Sequence, residues 1–334
     1  MKILHALVPR LTVAITTFAI FVGDWARAER KDFGLNVCEY VPAKSGQALK
    51  TPTHIAFGPG GQEIITDLKN NRLLYRSGPK EAFKVSPVQL KGPHSVAYNP
   101  ADKLYYVNDT ENHRIIAFAD LANAELVAET NVIAGVKLQR PHDVVVDAQT
   151  GWVYAINPNS GHVFRFKGIG KEESAIEVPV EGYARALSHT NGQLYAIGSA
   201  RGRIVEIVDW DAPTFKIHDS YDPAKLQGPA GSWTKTGLVL NDAEFFEGFW
   251  YASSYFTQSY AKGTDYDEHK FIRFKNFEDF SAGKWMDLSN LVPSGMTPYY
   301  LTVNGNDLFL AIFNHEVPAR GDSILKFTTP VVTP

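Results

Sequence analysis

A strand-rich segment that recurs along the chain is the feature that most constrains its fold. Residues 93–118 predict three short strands separated by polar turns, with the sequence PHSVAYNPADKLYYVNDTENHRIIAF. A second copy begins at Pro141, as PHDVVVD, GWVYAIN and GHVFRF. Units of three or four strands that recur at this kind of interval are typical of β-propeller blades.

Six such units can be aligned by their first strands, which are rich in β-branched and aromatic residues. Their openings lie near residues 52, 93, 141, 182, 240 and 298. The sequence therefore predicts an all-β, six-bladed propeller that forms a single domain over residues 29–334. The last unit has only three strands, and a lone strand-like run at residues 35–41 precedes the first unit. We expect this N-terminal strand to complete the last blade as its outermost strand, which would close the ring and remove free sheet edges.

The segment at residues 1–28 has the organisation of a cleaved signal peptide. A basic start is followed by an apolar run at residues 11–23 and by Ala26-Arg27-Ala28, a small-x-small cleavage site. The apolar run is too short to span a bilayer comfortably. We therefore expect a secreted or periplasmic protein with no transmembrane segment after cleavage. An uncleaved anchor is the alternative.

Charge and cysteine content narrow the classes of function. The chain carries 33 Lys and Arg against 36 Asp and Glu, a net charge of −3, and removal of the signal peptide makes it about −5. This balance argues against nucleic-acid binding, which requires a basic face. Cys38 is the only cysteine, so no intrachain disulfide can form. We expect its thiol to be buried within the strand at residues 35–41.

One position of the repeat is a candidate site, because equivalent residues of all blades converge at the mouth of the central channel. Five of the six residues there are His, Tyr or Asn, where small or apolar residues would be expected of a purely structural position. In the alignment of the openings, this position holds Thr53, His94, His142, Tyr183, Asn241 and Tyr299, and the next position includes His54 and Asp143.

Imidazoles that converge on a channel open to water can perform several functions. They can bind zinc or a similar ion, or act as a general base and its partner. Hydrogen bonds that cap the strand ends are the structural alternative. Two histidines do not complete a metal site, so a third ligand is needed, and His54, Asn241 or His315 could supply it.

Three long insertions, residues 221–237, 256–269 and 314–322, are expected on the same face of the propeller as the channel mouth. Long loops on a rigid scaffold often carry function. Their aromatic side chains suit glycans, aromatic ligands or protein partners, although the rings could equally pack the loops down. The candidate ligand-binding residues are Trp233, Tyr255, Phe256, Tyr260 and His315.

The repeats resemble those of NHL-type six-bladed propellers, whose consensus runs approximately P-x-G-V-x-V-D, G-x-I-Y-V-x-D and N-x-R-I-x-x-F. Residues 93–118 and 141–166 carry these motifs most clearly. The resemblance extends over nearly the whole chain after the signal peptide, and it implies the propeller fold. It carries less information about activity, because function depends on sites that differ among proteins of one fold.

Two enzyme families with this fold are also similar at the blade openings. Resemblance to the peptidyl-amidoglycolate lyase propeller implies that His94 and His142 bind zinc and that Asp143 contacts a channel calcium. At the blade 2 position where that family has an arginine, this chain has Thr110. Gluconolactonase-type propellers hold a divalent cation with a Glu, an Asn and an Asp at these openings, and here Asn241 corresponds to the Asn.

Two functions are therefore compatible with the sequence. The first is a binding protein that holds a small molecule, a glycan or a protein partner at the top face and channel mouth. The second is a metal-dependent hydrolase or lyase, in which an ion on His94 and His142 polarises a carbonyl or activates water. Tyr183, Asn241 and Tyr299 would then orient the substrate. The sequence favours the first function over any single named reaction.

Overall fold

A computed structural model of the protein shows a chain built almost wholly of β-strands. The structure describes residues 34–41, 48–199, 202–220, 238–256, 271–314 and 321–329. These residues form six four-stranded antiparallel sheets and one two-stranded hairpin. The first strands of neighbouring sheets contact one another in a closed circle. The predicted six-bladed propeller is therefore confirmed, whereas the predicted signal peptide lies outside the described residues.

In each blade the strands pair in chain order from the inner strand outwards. Blade 1 contains β2 (Pro52–Phe57), β3 (Glu63–Asp67), β4 (Arg72–Arg76) and β5 (Lys84–Val85). Blade 2 contains β6 (Pro93–Asn99), β7 (Leu104–Asp109), β8 (Arg114–Phe118) and β9 (Leu126–Thr130). The hairpin that follows it is β10 (Val132–Ile133) and β11 (Val136–Lys137). Blade 3 contains β12 (Asp143–Asp147), β13 (Trp152–Ile156), β14 (His162–Phe166) and β15 (Ser174–Glu177).

The second half of the ring repeats this arrangement. Blade 4 contains β16 (Ala184–Thr190), β17 (Gln193–Gly198), β18 (Arg203–Asp209) and β19 (Thr214–Asp219). Blade 5 contains β20 (Val239–Phe246), β21 (Phe249–Phe256), β22 (Phe271–Phe274) and β23 (Met286–Asp287), with the short helix α1 (Phe277–Ser281) before its last strand. Blade 6 contains β24 (Met296–Asn304), β25 (Asp307–Asn314), β26 (Ser323–Thr328) and β1 (Asn36–Val41).

The N-terminal strand closes the ring as predicted. β1 pairs antiparallel with β26 and is the outermost strand of blade 6. The prediction of a buried Cys38 is wrong, because the thiol is exposed. An outermost strand has a neighbour along one edge only, and in β1 only Val41 is buried. Cys38 lies opposite Lys326, a residue whose own side chain remains partly exposed.

Apolar side chains that face out of each sheet pack against the next blade, which explains the short β-branched and aromatic strands. Phe164 and Phe166 of β14 are fully buried, and Phe166 meets Tyr106 of blade 2 edge to face, with ring centroids 5.7 Å apart. Burial of each such ring contributes about 1.5–3 kcal/mol. Among the described residues, no helix is long and apolar enough to cross a membrane.

The polar residues of the repeat also have a structural function. Asp109, at the end of β7, accepts hydrogen bonds from the Lys91 backbone N–H, the Asn112 amide and the Arg114 guanidinium. In blade 1, the equivalent bonds join Asp67 to Lys50, Asn70 and Arg72. These buried aspartates fasten the link between blades to the turn after the second strand. The repeated D-x-x-N-x-R pattern is therefore explained by folding, without reference to a ligand.

Candidate functional site

A cavity of about 220 Å³ opens at the mouth of the ring, where the inner strands of the blades begin. Four of the predicted residues line it together: His94, His142, Tyr183 and Tyr299. Thr53, at the equivalent position of blade 1, also contributes to the wall. The convergence that the repeat alignment predicts is therefore present, and we call this cavity the mouth pocket.

The strand register corrects the alignment in blade 4. Blades 1, 3 and 4 can be compared at one position of the second strand, six residues before the third strand begins. In each of these blades, that residue pairs with a residue of the inner strand. These pairs are His54 with Thr66, Asp143 with Ile156, and Ala186 with Ile197. The inner-strand residues one position before these partners are therefore equivalent. They are Thr53, His142 and Arg185, so blade 4 contributes Arg185 to the ring of equivalent positions at the channel mouth. A bulge between Ala184 and Ala186 inserts the extra residue, and Tyr183 reaches the mouth pocket from two positions further towards the start of the strand.

His142 and Tyr183 form a hydrogen-bonded pair. The Nδ1 atom of His142 lies 3.2 Å from the Arg140 carbonyl oxygen, and its Nε2 atom lies 2.7 Å from the Tyr183 hydroxyl. Burial, the neighbouring His94 and the charge of Arg185 hold the pKa of His142 well below its usual value of 6.5, so the ring is neutral. A carbonyl oxygen can only accept, so Nδ1 carries the proton, and Nε2 accepts from Tyr183.

His94 stacks on His142, with ring centroids 4.0 Å apart and an angle of 25° between the ring planes. Arg185 donates to the Tyr299 hydroxyl at 3.2 Å, and that hydroxyl lies 3.4 Å from Nδ1 of His94. The Tyr299 hydroxyl can donate to Nδ1 of His94 or accept from it, depending on which nitrogen of the ring carries the proton. Burial, together with the charges of Arg185 and Arg140, lowers the pKa of His94 to about 3, so this ring is neutral as well.

Positive charge dominates the described part of the mouth pocket. The Arg185 guanidinium lies over the ring of Tyr183 at 5.0 Å and over that of Tyr299 at 5.9 Å, which are cation–π distances. Arg140 and Lys69 also line the cavity, and Arg140 forms a salt bridge with Glu111 at 2.6 Å. No carboxylate is among the described lining residues.

Two tyrosines of β24 stack on one another, and the first of them, Tyr299, lines the mouth pocket. The rings of Tyr299 and Tyr300 lie 4.6 Å apart, and both side chains are buried. The Tyr300 hydroxyl reaches from blade 6 across the ring, where it donates to the Arg185 carbonyl oxygen at 2.6 Å and lies 3.4 Å from that of His142. Tyr300 therefore links blade 6 to the backbone of blade 4.

Buried carboxylates lie one position further along the inner strands. Asp143 accepts from the Val144 backbone N–H and, in blade 4, from that of Leu187, each at 2.8 Å. Asp242 binds Ala243 and Leu301 in the same way, which joins blade 5 to blade 6.

Glu244 completes this group and accepts from the Ser188 hydroxyl at 2.9 Å. Burial raises the pKa of Asp143 to about 6. Burial and the charge of Asp143 raise the pKa of Glu244 to about 8, and burial and both neighbouring carboxylates raise that of Asp242 well above its usual range. We call Asp143, Asp242 and Glu244 the acidic layer.

The predicted metal ligands do not form a closed ion site in this arrangement. No group of three or more His, Cys, Asp or Glu among the described residues is placed to hold an ion. Imidazole lone pairs lie in the ring plane, so the stacked rings of His94 and His142 direct their nitrogens side by side rather than at one point. Both nitrogens of His142 have partners, and the oxygens of Asp143 bind backbone N–H groups. His54 lies edge-on to Tyr300, 6.2 Å away.

None of the remaining predicted residues is among the described residues that line the mouth pocket. Asn241 is fully buried and donates to the Pro298 carbonyl oxygen at 2.7 Å, while its Oδ1 has no hydrogen-bond partner among the described atoms. Tyr255 and Phe256 end β21, where only the backbone is described. The loop residues Trp233, Tyr260 and His315 lie outside the described residues.

Sequence reasoning missed the cationic residues of the mouth pocket. Of these residues, only Arg185 could have been recognised from the sequence. It lies two positions after Tyr183 in the aligned openings, where the other five blades have an aliphatic residue or alanine. A charged residue in an otherwise apolar column indicates either a partner or a ligand. Arg140 lies just before the inner strand of blade 3, and Lys69 lies just after the second strand of blade 1. Charged residues are common in such links, so neither residue stands out in the sequence.

Comparison with known proteins agrees with this architecture. Residues 57–201, which include His94, His142 and Arg185, match the family described as "SMP-30/Gluconolactonase/LRE-like region". The predicted resemblance to gluconolactonase-like propellers is thus confirmed over this segment. A comparison with curated proteins finds no match in sequence.

Solved structures with a similar fold include several enzymes. Virginiamycin B lyase from Staphylococcus aureus has a TM-score of 0.56 and 12% identity, over 88% of this chain and 99% of that one. Luciferin-regenerating enzyme has a TM-score of 0.59 and 12% identity, over 88% and 95%. Aldose sugar dehydrogenase from Streptomyces coelicolor, in its PQQ-bound form, has a TM-score of 0.54 and 13% identity, over 88% and 98%. At these identities the likeness shows the fold alone.

Proposed function

We propose that this protein binds a small molecule in the mouth pocket of its propeller. The observation that carries the proposal is the convergence of inner-strand side chains from several blades on one cavity of about 220 Å³, with Tyr299 in its wall. A concave site with apolar walls and a few convergent polar groups is the usual form of a ligand site. The predicted insertions at residues 221–237, 256–269 and 314–322 are further candidates for contact with the ligand, or with a glycan or protein partner.

We also propose that the protein acts outside the cytoplasm, on the basis of the sequence at residues 1–28. Amino-terminal sequencing of protein recovered from the periplasm or medium tests this. A mature chain that begins near Glu29 is the expected result. Retention of Met1 on a protein found in the cytoplasm would contradict it.

A thermal-shift screen tests the proposed binding. The panel contains lactones, carboxylic acids, phosphate esters, oligosaccharides and amidated peptides, and calorimetry measures the affinity of each compound that raises Tm. We expect His94→Ala and Tyr183→Phe to weaken binding about tenfold, the loss of one hydrogen bond to the ligand. His189→Ala, at the far end of β16, is the matched control and should bind normally. A compound that binds all three variants equally occupies another site.

A hydrolase or lyase that uses the same pocket is the second candidate, and the hydrogen bond between Tyr183 and His142 favours it. As a bound substrate gives a proton to the Tyr183 oxygen, the tyrosine can pass its own proton to Nε2 of His142. The low pKa of His142 makes the resulting imidazolium a strong acid, which favours return of the proton later in the reaction. Turnover of a compound from the panel, lost in Tyr183→Phe, would support this candidate.

The metal-dependent form of the second candidate requires the stacked histidines to separate. Elemental analysis of protein purified without chelators tests it directly. About one zinc or calcium ion per chain, lost in both His94→Ala and His142→Ala while the variants remain folded, would support a metalloenzyme. The geometry leads us to expect substoichiometric metal that does not depend on either histidine.

A further inference from the structure

We infer that the ligand of the mouth pocket is a small organic anion, a carboxylate or phosphate ester with a compact apolar body, and that Arg185 binds its charged oxygens. The inference rests on the proposed function, because it names the chemical class of the molecule bound at that site. Three features of the mouth pocket carry it: the position of Arg185, the neutral state of the two histidines, and the size and apolar part of the wall.

Arg185 lies in the wall of the mouth pocket, where two tyrosines hold it. The rings of Tyr183 and Tyr299 lie 5.0 and 5.9 Å from the guanidinium carbon, and one of its N–H groups donates to the Tyr299 hydroxyl. A guanidinium group presents its N–H donors as a planar fork. Such a fork matches the paired oxygens of a carboxylate or phosphate.

The other polar groups of the wall add donors and positive charge. Lys69 and Arg140 are exposed residues that line the cavity, and one N–H of Arg140 donates to Glu111. His94 presents a neutral ring with one N–H donor, and its pKa of about 3 keeps it neutral throughout the physiological range. A cationic ligand would be repelled by Arg185 and Lys69, whereas an anion would receive charge-assisted hydrogen bonds.

Size and apolar surface limit the rest of the ligand. The cavity volume of about 220 Å³ is below the roughly 300–1,000 Å³ of pockets that hold drug-sized molecules. Leu68 and Phe313 line it together with the tyrosine rings. The wall therefore suits a molecule with one charged group and one small aliphatic or aromatic body.

Three probes that share a phenyl ring test the inference by calorimetry: benzoate, its neutral isostere benzamide, and phenyl phosphate. We expect at least one of the two anions to bind, with affinity that falls as salt is raised, and benzamide to bind at least tenfold more weakly. The relative affinities of benzoate and phenyl phosphate distinguish a carboxylate ligand from a phosphate ester. Arg185→Gln should weaken anion binding about 10- to 100-fold, as expected for loss of charged hydrogen bonds.

Matched variants keep the result interpretable. Arg165→Gln removes an arginine that lies between Trp152 and Trp210 outside the mouth pocket, and it should leave binding unchanged. Arg185→Lys keeps the charge and should retain part of the affinity. If Arg185→Gln does not fold, Arg140→Gln, at a partly exposed position, should still reduce anion affinity several-fold.

The outcomes separate this inference from the proposed function. Equal binding of benzamide and benzoate, or anion binding that Arg185→Gln does not change, would overturn the inference and leave the binding proposal intact. A neutral compound from the thermal-shift screen that binds at His94 while neither anion binds at about 10 mM would have the same meaning. No binding by any compound in the screen and by none of the three probes would overturn both.

Discussion

The mouth pocket and the acidic layer lie one residue apart on the same inner strands, yet their side chains are used in different ways. His142 and Arg185 form hydrogen bonds or ring contacts with other side chains around an open cavity. Asp143, the next residue after His142, uses its oxygens on backbone N–H groups of two blades. Arginine and lysine side chains line the mouth, whereas burial raises the pKa of each carboxyl of the acidic layer and favours its protonated form.

This comparison gives a physical criterion for separating ligand-binding residues from structural ones in a propeller. A buried polar group whose hydrogen-bonding capacity is used by the backbone contributes to closure of the ring. A polar group held by other side chains at the edge of a cavity can exchange those partners for a ligand. By this criterion Asp143, which resemblance assigned to a metal, has a structural role, and Arg185 is the residue proposed to bind a ligand.

Loss of an acidic-layer aspartate should have the largest effect on stability. Asp242→Ala leaves the N–H groups of Ala243 and Leu301 unpaired in the interior, at about 1–3 kcal/mol each. We expect a loss of about 3 kcal/mol in the free energy of unfolding, measured with urea. The exposed Asp211→Ala should change it by less than about 0.5 kcal/mol. Equal values for the two variants would remove the structural role of the acidic layer.

The two regions should respond to pH in opposite directions. The pKa of Glu244 is raised by folding from 4.5 to about 8, so the folded state binds its proton more tightly and stability falls as pH rises between those values. The pKa of His94 is lowered from 6.5 to about 3, so stability falls as pH decreases below 6.5. Each group contributes at most about 1.4 kcal/mol per pH unit in its window.

Single substitutions can separate these two effects. Glu244→Gln should reduce the loss of stability between pH 6 and 8, by on the order of 2 kcal/mol. His94→Gln should reduce only the loss below pH 6. Urea unfolding curves at four pH values provide the measurement. A Glu244→Gln variant with the pH profile of the parent protein would show that this carboxyl has an ordinary pKa.

The hydrogen bond of Tyr300 across the ring should contribute less to the free energy of unfolding. Tyr300→Phe removes the hydrogen bond to the Arg185 carbonyl oxygen, and we expect a loss of about 1 kcal/mol in the free energy of unfolding. Tyr98→Phe, half-buried on β6 and away from the mouth pocket, is the control. Because the Tyr300 bond also fixes the backbone of Arg185, anion affinity should fall in Tyr300→Phe and remain unchanged in Tyr98→Phe.

The smallest expected effect concerns the state of His142. Nitrogen-15 NMR of the imidazoles should show the proton on Nδ1, with Nε2 as the acceptor from Tyr183. Tyr183→Phe should shift the Nε2 resonance and change stability by about 1 kcal/mol or less. A proton found on Nε2 in the parent protein would contradict the assigned direction of the hydrogen bond and the proposed proton transfer.

Much of the architecture could be predicted because each blade repeats the same local pattern. The openings at Pro52 and Pro93 and the closure by residues 35–41 followed from strand spacing and from one missing strand. The ring position of His94 and His142 followed from the alignment of those openings. Repetition converts one local pattern into six mutually supporting observations.

The features that could not be predicted are local deviations confined to a single blade. The sequence around Arg185 alternates Tyr183, Arg185 and Leu187, and either of the first two could occupy the ring position. Only the pairing of Ala186 with Ile197 reveals the bulge. Whether Cys38 is exposed likewise depends on how much of the outermost strand is covered by other residues. An apolar sequence pattern does not indicate this.

Closure of the ring by β1 has a mechanical consequence. Asn36, at the start of β1, lies opposite Thr328, at the end of β26. The two strands are antiparallel, so a force that pulls the chain by its two ends loads their hydrogen-bonded pairs one after another, as in a zipper, rather than all together in shear. The strand that closes the circle is therefore also the seam at which tension on the ends of the chain first opens it.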